Sequence, residues 1–262
     1  MAELFSKDDE YAYIMLVWAS RAETPEEVAG RAWATMCALE DSVPRDDPRY
    51  QDPSWTGIPW SATPEENPEL YDLPAPGSLL ELETEMRHRA EVGSDGTLTA
   101  GLPIGADLTC ARSNGASMAS YSGNVGSGVA SLENTVTIRF APLFPTGDKR
   151  DLTALFRRIV SIWQPDWALL DTLQTSREVQ GAQESYADYL IWLSEAESGP
   201  APALQAATTG PFGDGTLITL NTWSIDGVRA LHQELLSAGI PPVNIRRPLD
   251  LQIVPQFPAV DL

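Results

Sequence analysis

The side chains that could do chemistry are few and widely spaced. Histidine occurs twice, as His88 within Glu85-Met86-Arg87-His88-Arg89 and as His232 in a stretch of helical spacing. Each reads first as a solvated surface residue. Neither stands at metal-ligand spacing from Cys37, Cys110 or the other histidine, so no metal and no cofactor is expected. Serine chemistry would need a Gly-x-Ser-x-Gly elbow between a strand and a helix. The nearest approach, Gly115-Ala116-Ser117-Met118-Ala119, lacks the second glycine. A small α/β hydrolase using Ser117 and His232 therefore remains as an alternative supported by chain order alone. Gly123-Asn124-Val125-Gly126-Ser127-Gly128 fits neither a dinucleotide fingerprint nor a phosphate loop, since no lysine follows it, and it reads as a flexible turn. Lys7 and Lys149 are the only lysines, and neither stands two residues after an acid, so the acid-x-Lys strand of a restriction-endonuclease-like nuclease cannot be assembled. Two cysteines in apolar contexts make no disulfide framework and predict reduced thiols. No enzyme is expected.

Charge says more. The chain has 262 residues with 37 acids against 17 bases, a formal charge of −20 and a pI near 4.3. Nucleic-acid affinity comes from cationic groups that release counterions, so direct binding of DNA or RNA is not expected. Hydrophobic residues make up 43% and charged residues 21%, as in an ordinary globular protein. The apolar runs fall short of the ~20 residues that span a bilayer. Residues 1–10 lack the basic, apolar and cleavage regions of a secretory signal, which predicts a cytoplasmic protein. The acids are unevenly placed: residues 1–107 hold 22 against 7 bases, residues 108–262 hold 15 against 10.

Between Ser42 and Gly77 the acids Asp46, Asp47, Asp52, Glu65, Glu66, Glu69 and Asp72 alternate with Tyr50, Trp55, Trp60 and Tyr71, against only Arg45 and Arg49. Acids beside rigid aromatics suit the capture of a basic protein, because the field speeds encounter and buried aromatics supply hot spots of about 2 kcal/mol or more. The candidate binding set is these seven acids with Trp55, Trp60 and Tyr71. The same composition would serve a solvated acidic face whose aromatics pin the loop to the core, or an acidic adaptor for another basic partner.

The elements that must position these residues follow from local pattern. Tyr11 to Ser20 reads as a buried strand. Thr24, Pro25 and Glu27 form a capping box with proline at the first helical position, and Val28, Ala32, Met36 and Leu39 continue at helical spacing. The eight prolines of Ser42–Gly77 block helix and predict a long irregular segment, ordered against the body by its aromatics. A helix is expected over Ser78–Val92, then short strands and turns around Leu108–Ala111 and Ser117–Tyr121. Val136, Ile138 and Phe140 alternate as a half-buried strand. Leu152 to Trp163 mark a helix ended by Pro165, with a strand at Trp167–Leu170. The Tyr189–Leu193 run stays open in type. Residues 204–209 and 216–222 flank Gly210–Gly215 as a hairpin, and Ser224 caps a last helix ended by Gly239. The fold class is α+β: a mixed or antiparallel sheet packed with helices, one domain over 11–254, carrying the ordered Pro-rich loop 42–77.

Trp18-x-x-Arg21, Glu23-Thr24-Pro25-Glu26-Glu27-x-Ala29, Asp47-Pro48-x-Tyr50 and Trp55 together resemble the opening of the immunity protein 52 family. Asn134-x-Val136-x-Ile138, Trp163-x-Pro165-Asp166-Trp167-Ala168, Tyr189-Leu190-x-Trp192-Leu193 and Gly215-Thr216-Leu217-Ile218 follow in the same order, so the resemblance runs from about Tyr11 to Leu251. Ser185-Tyr186-Ala187-Asp188 stands where related sequences tend to carry Gly-Trp. The resemblance implies a cytoplasmic antidote of a bacterial polymorphic-toxin or type VI secretion system, paired with a restriction-endonuclease-fold DNase toxin. It implies no contact residues.

Overall fold

The computed structural model describes residues 11–57, 75–110, 117–129, 133–179, 184–185, 187–198, 203–239, 243–244 and 256–257. In chain order the elements are β1 (Ala12–Trp18), α1 (Pro25–Asp41), a 3-10 turn (Pro48–Tyr50), β2 (Ser54–Gly57), α2 (Leu79–Arg89), β3 (Leu102–Thr109), β4 (Ala119–Val125) and β5 (Asn134–Phe140). They continue with α3 (Lys149–Trp163), β6 (Trp167–Thr172), α4 (Leu173–Glu178), β7 (Glu184–Ser185), β8 (Leu190–Ser194), α5 (Glu195–Ser198), β9 (Ala207–Pro211), β10 (Gly215–Leu220), α6 (Ile225–Ser237) and β11 (Val243–Asn244). The class is α+β, and each of the strand pairings given below is antiparallel. The chain divides into two compact units, Ser20–Thr146 and Met1–Ala19 with Gly147–Asp261.

In the first unit, α1 starts where the sequence says it must. The Thr24 hydroxyl accepts the Glu27 N–H at 3.2 Å, and Glu27 returns a carboxylate oxygen to the Thr24 N–H at 2.8 Å. Val28, Ala29, Ala32, Met36 and Leu39 are buried, and Glu26 pairs with Arg87, tying α1 to α2. Strands β2, β3, β4 and β5 pair in that order, with Trp55 opposite Leu108, Ala106 opposite Tyr121 and Tyr121 opposite Ile138. Alternation puts Leu102, Ile104, Ala106, Leu108, Tyr121, Ile138 and Phe140 on one buried face. The other face carries Gly105, Asp107, Ser120, Ser122 and Thr137, none of them buried. At Gly123 an added Cβ would overlap the Thr135 carbonyl, so only glycine lets β5 pair there.

Two expectations change in this unit. The small-residue stretch before Gly128 forms the long strands β3 and β4 rather than short ones around Leu108 and Ser117. Its terminal glycine run is held by Ser127, whose N–H donates to Asn134 Oδ1 at 2.9 Å and whose C=O accepts the Arg21 N–H at 2.8 Å. The Pro-rich segment opens with a 3-10 turn and edge strand β2, where Pro53 just precedes the ladder and removes no bond from it. The remainder of that segment, 58–74, lies outside the described residues.

In the second unit β1, β6, β8, β10 and β9 pair in that order. Strand β1 lies along β6 from Ala12 opposite Thr172 to Val17 opposite Trp167, and β6 is buried on both faces. The Tyr189–Leu193 run is β8, and Gly210–Gly215 holds the β9–β10 turn. Helix α3 starts at Asp148, which accepts the N–H groups of Arg150 and Asp151 at 2.7 and 3.0 Å. It buries Leu152, Leu155, Phe156, Ile159, Val160 and Trp163, with the Trp163 ring 5.7 Å from Trp18. Gln164 turns left-handed (φ 49°) and ends the helix just before Pro165. Helix α6 packs Val228, Leu231 and Leu235 inward behind its Ser224 cap, and Gly239 (φ 70°) follows its end. Among the described residues no helix is long and apolar enough to cross a membrane.

Candidate functional site

The connection from α1 to β2 carries the described part of the candidate acidic set. Ser42 closes α1 with its N–H on the Leu39 carbonyl, and buried Val43 anchors the departing chain. The Tyr50 N–H donates to the Asp47 carbonyl at 3.0 Å, closing the 3-10 turn that Pro48 begins. Asp46 is exposed and makes no hydrogen bond or ion pair with another described residue; Asp47 is half-buried. Asp52 is exposed in the left-handed region (φ 54°), a conformation that Asp tolerates better than most residues. Arg45 lies 3.8 Å from Glu40 and 3.9 Å from Asp41 with a side chain 76% exposed, which at such exposure is worth at most about 1 kcal/mol.

Trp55 is placed differently from its neighbours. It lies on the packed face of the sheet, edge-on to Tyr121 with 6.2 Å between rings, and its carbonyl accepts the Ala75 N–H at 3.0 Å. Its indole N–H is buried without an acceptor among the described residues. Thus Asp46, Asp47 and Asp52 share one connection, while Trp55 points into the unit. Trp60, Glu65, Glu66, Glu69, Tyr71 and Asp72 lie outside the described residues.

The other acids of this unit are largely engaged. Glu26 and Glu83 meet Arg87, Glu85 meets Arg89 at 3.2 Å, and buried Glu23 meets Arg31 at 2.9 Å and Arg21 at 3.5 Å. The hydrogen bond from Arg87 holds the Glu26 carboxyl below its ordinary range. Asp46 and Asp52 of the α1–β2 connection, like Glu91 and Asp95 farther along the unit, are exposed acids without an ion pair to a described residue.

Ser117 does not sit in an elbow, because strand β4 follows it. Its hydroxyl lies 2.9 Å from Asp107 Oδ1 and 3.0 Å from the Ala119 carbonyl. Burial pushes the Asp107 carboxyl above its ordinary range, against opposing pulls from Ser117 and Arg139. His88 is exposed on α2; His232 is half-buried on α6. A polar cluster that residue types do not reveal surrounds buried Asp171 of β6, which accepts from the hydroxyls of Tyr13, Thr175 and Ser176. Burial and the adjacent Asp171 push the Tyr13 hydroxyl well above its usual range, so it stays a donor. Among the described residues no cluster of three or more His, Cys, Asp or Glu could hold a metal ion, and neither Cys37 nor Cys110 forms a disulfide.

No family model matches the chain, and no curated protein matches it in sequence. Among solved structures it is similar to a T6SS protein of Pseudomonas aeruginosa, at 9% identity and a TM-score of 0.46, over 94% of this chain and 90% of that one.

Proposed function

We propose that this chain is a cytoplasmic immunity protein that acts by binding rather than catalysis, inhibiting a cognate nuclease toxin by occluding its DNA-binding or catalytic groove. A nuclease must present a basic groove to DNA, and an acidic protein can fill that groove without affinity for DNA itself. The observation that carries the reading is the α1–β2 connection: Asp46 and Asp52 are exposed there with no ion pair to another described residue, while Glu26 of α1 and Glu83 and Glu85 of α2 meet Arg87 and Arg89. The resemblance to the immunity protein 52 family supports the same reading and supplies the toxin class.

The test uses the C-terminal domain of a toxin encoded beside this gene. Stopped-flow association should slow about tenfold or more between 50 mM and 500 mM NaCl, because exposed charges steer encounter and are screened. The combined variant Asp46→Asn, Asp52→Asn, Glu65→Gln, Glu66→Gln should lose most of that salt dependence and protect weakly against DNA cleavage, with an unchanged circular dichroism spectrum. Full protection by this variant, or an association rate indifferent to salt, would place the interface elsewhere.

A further inference from the structure

Within the second unit, Gln256 and Phe257 lie against the β9–β10 turn. Gln256 is gripped by both backbone groups: its N–H donates to Asp214 Oδ2 at 3.0 Å, and its C=O accepts the Asp214 N–H at 2.9 Å. Phe257 follows into an aromatic recess, its ring 5.0 Å from Trp192 and 5.5 Å from Phe212. Trp192 and Phe212 also make contacts that do not involve Phe257. Trp192 is fully buried and donates its indole N–H to the Phe212 carbonyl at 2.9 Å, while the Arg157 guanidinium lies 4.5 Å from the centre of the Phe212 ring. Two glycines make the room. Gly213 has φ 57°, and a Cβ there would overlap the Gln256 carbonyl oxygen and come within 2.7 Å of the Phe257 ring. A Cβ at Gly215 would come within 2.7 Å of the Trp192 ring. Glycine at 213 also meets the backbone's own demand, since most other residues resist a positive φ.

We propose that the Gly213-Asp214-Gly215 turn with Trp192 and Phe212 is a peptide-docking site, occupied by this chain's own Gln256–Phe257 acting as a removable plug. Residue 256 is gripped through its own backbone N–H and C=O, by the carboxylate and the backbone N–H of Asp214 respectively. Selectivity comes from the next position, where an aromatic ring meets both Trp192 and Phe212. The site thus recognises a segment with an aromatic residue directly after the gripped one. Tethering gives the chain's own segment the advantage of a high effective concentration over the same segment added from solution.

The test uses the full chain and a labelled peptide reproducing residues 253–259. In the wild type the Gln256 and Asp214 amides should exchange with solvent at least about a hundredfold more slowly than in an unstructured peptide, and Phe257→Ala should abolish the protection of Gln256. The peptide should bind the Phe257→Ala protein at least about tenfold more tightly than the wild type, whose recess is filled, and a peptide with alanine at the aromatic position should lose that binding. A Gln256 amide exchanging freely in the wild type overturns the proposal without any variant. So does equal peptide binding by both proteins, or no binding by a Phe257→Ala protein that keeps its native circular dichroism. Should Phe257→Ala fail to fold, Asp214→Ala removes the acceptor of the Gln256 N–H while keeping the rings, and should show the same loss of protection at Gln256.

Discussion

Asp107 shows how a residue's behaviour is set by chain pairing rather than by its neighbours in sequence. It lies on β3 opposite Ser120, with the Ser117 hydroxyl 2.9 Å from its carboxylate, and burial raises its proton affinity. Because the folded state binds that proton more tightly than the unfolded chain does, ionisation subtracts stability. The loss begins as pH rises through the unfolded value and is complete above the folded one. Asn keeps an acceptor for Ser117 and carries no charge. Asp107→Asn should therefore raise the thermal midpoint at pH 7 and leave it unchanged at about pH 3, where the carboxyl is mostly protonated in either state. An equal rise at both pH values would mean that the substitution acts by packing instead. Nothing in the local sequence marks Asp107, whereas Ser117 stands out beside Gly115 as a nucleophile-elbow candidate although strand β4, not a helix, follows it. Trp55 is the converse: its type suits an anchor, but which way it faces depends on the parity of an edge strand that begins behind Pro53.

At the scale of elements, what is legible is whatever local backbone chemistry decides. The Thr24–Glu27 box marks the start of α1 in the residues themselves, as does the Ser224 cap of α6. The start of α3 is less plain because Asp148 and Asp151 play the same reciprocal part with shorter side chains than the usual Ser/Thr and Glu/Gln. Each cap satisfies amide groups that the first helical turn leaves without partners, so Thr24→Ala and Asp148→Ala should each cost about 1 kcal/mol in urea denaturation. A cost near zero for Asp148→Ala would mean that solvent satisfies those amides equally well. Strands β3 and β4 are less legible for a different reason. Leu102, Ile104, Ala106 and Leu108 alternate as a strand should, but Pro103 and Gly105 between them belong to residue types that normally interrupt strands. Their place follows from partners: Gly105 sits opposite Ser122, and Ile104 opposite Gly123, where a side chain would collide with β5.

The charge asymmetry of the whole molecule can be read directly from residue counts, whereas the pairing of β1 with β6 cannot, because it joins Ala12 to Thr172 across most of the chain. A net charge of −20 acts on folding and on binding with opposite signs. Self-repulsion among the excess acids opposes the compact state, so screening it should stabilise the fold. The exposed ion pairs, such as Glu26 with Arg87 and Glu178 with Arg229 at 2.8 Å, weaken in salt as well, but each is worth no more than about 1 kcal/mol. Repulsion extends over all the uncompensated acids and fades as the Debye length contracts from about 10 Å at 0.1 M to about 3 Å at 1 M, so it should dominate. Raising NaCl over that range should lift the thermal midpoint of the free protein while slowing its capture of a basic partner. Chloride is the suitable anion, since sulfate stabilises folded proteins by exclusion whatever their charge. A midpoint that falls with NaCl would show that ion pairs such as Glu23 with Arg31 outweigh the repulsion. The acidic excess would then be part of what holds the fold together, and its use in capturing a partner would need separate support.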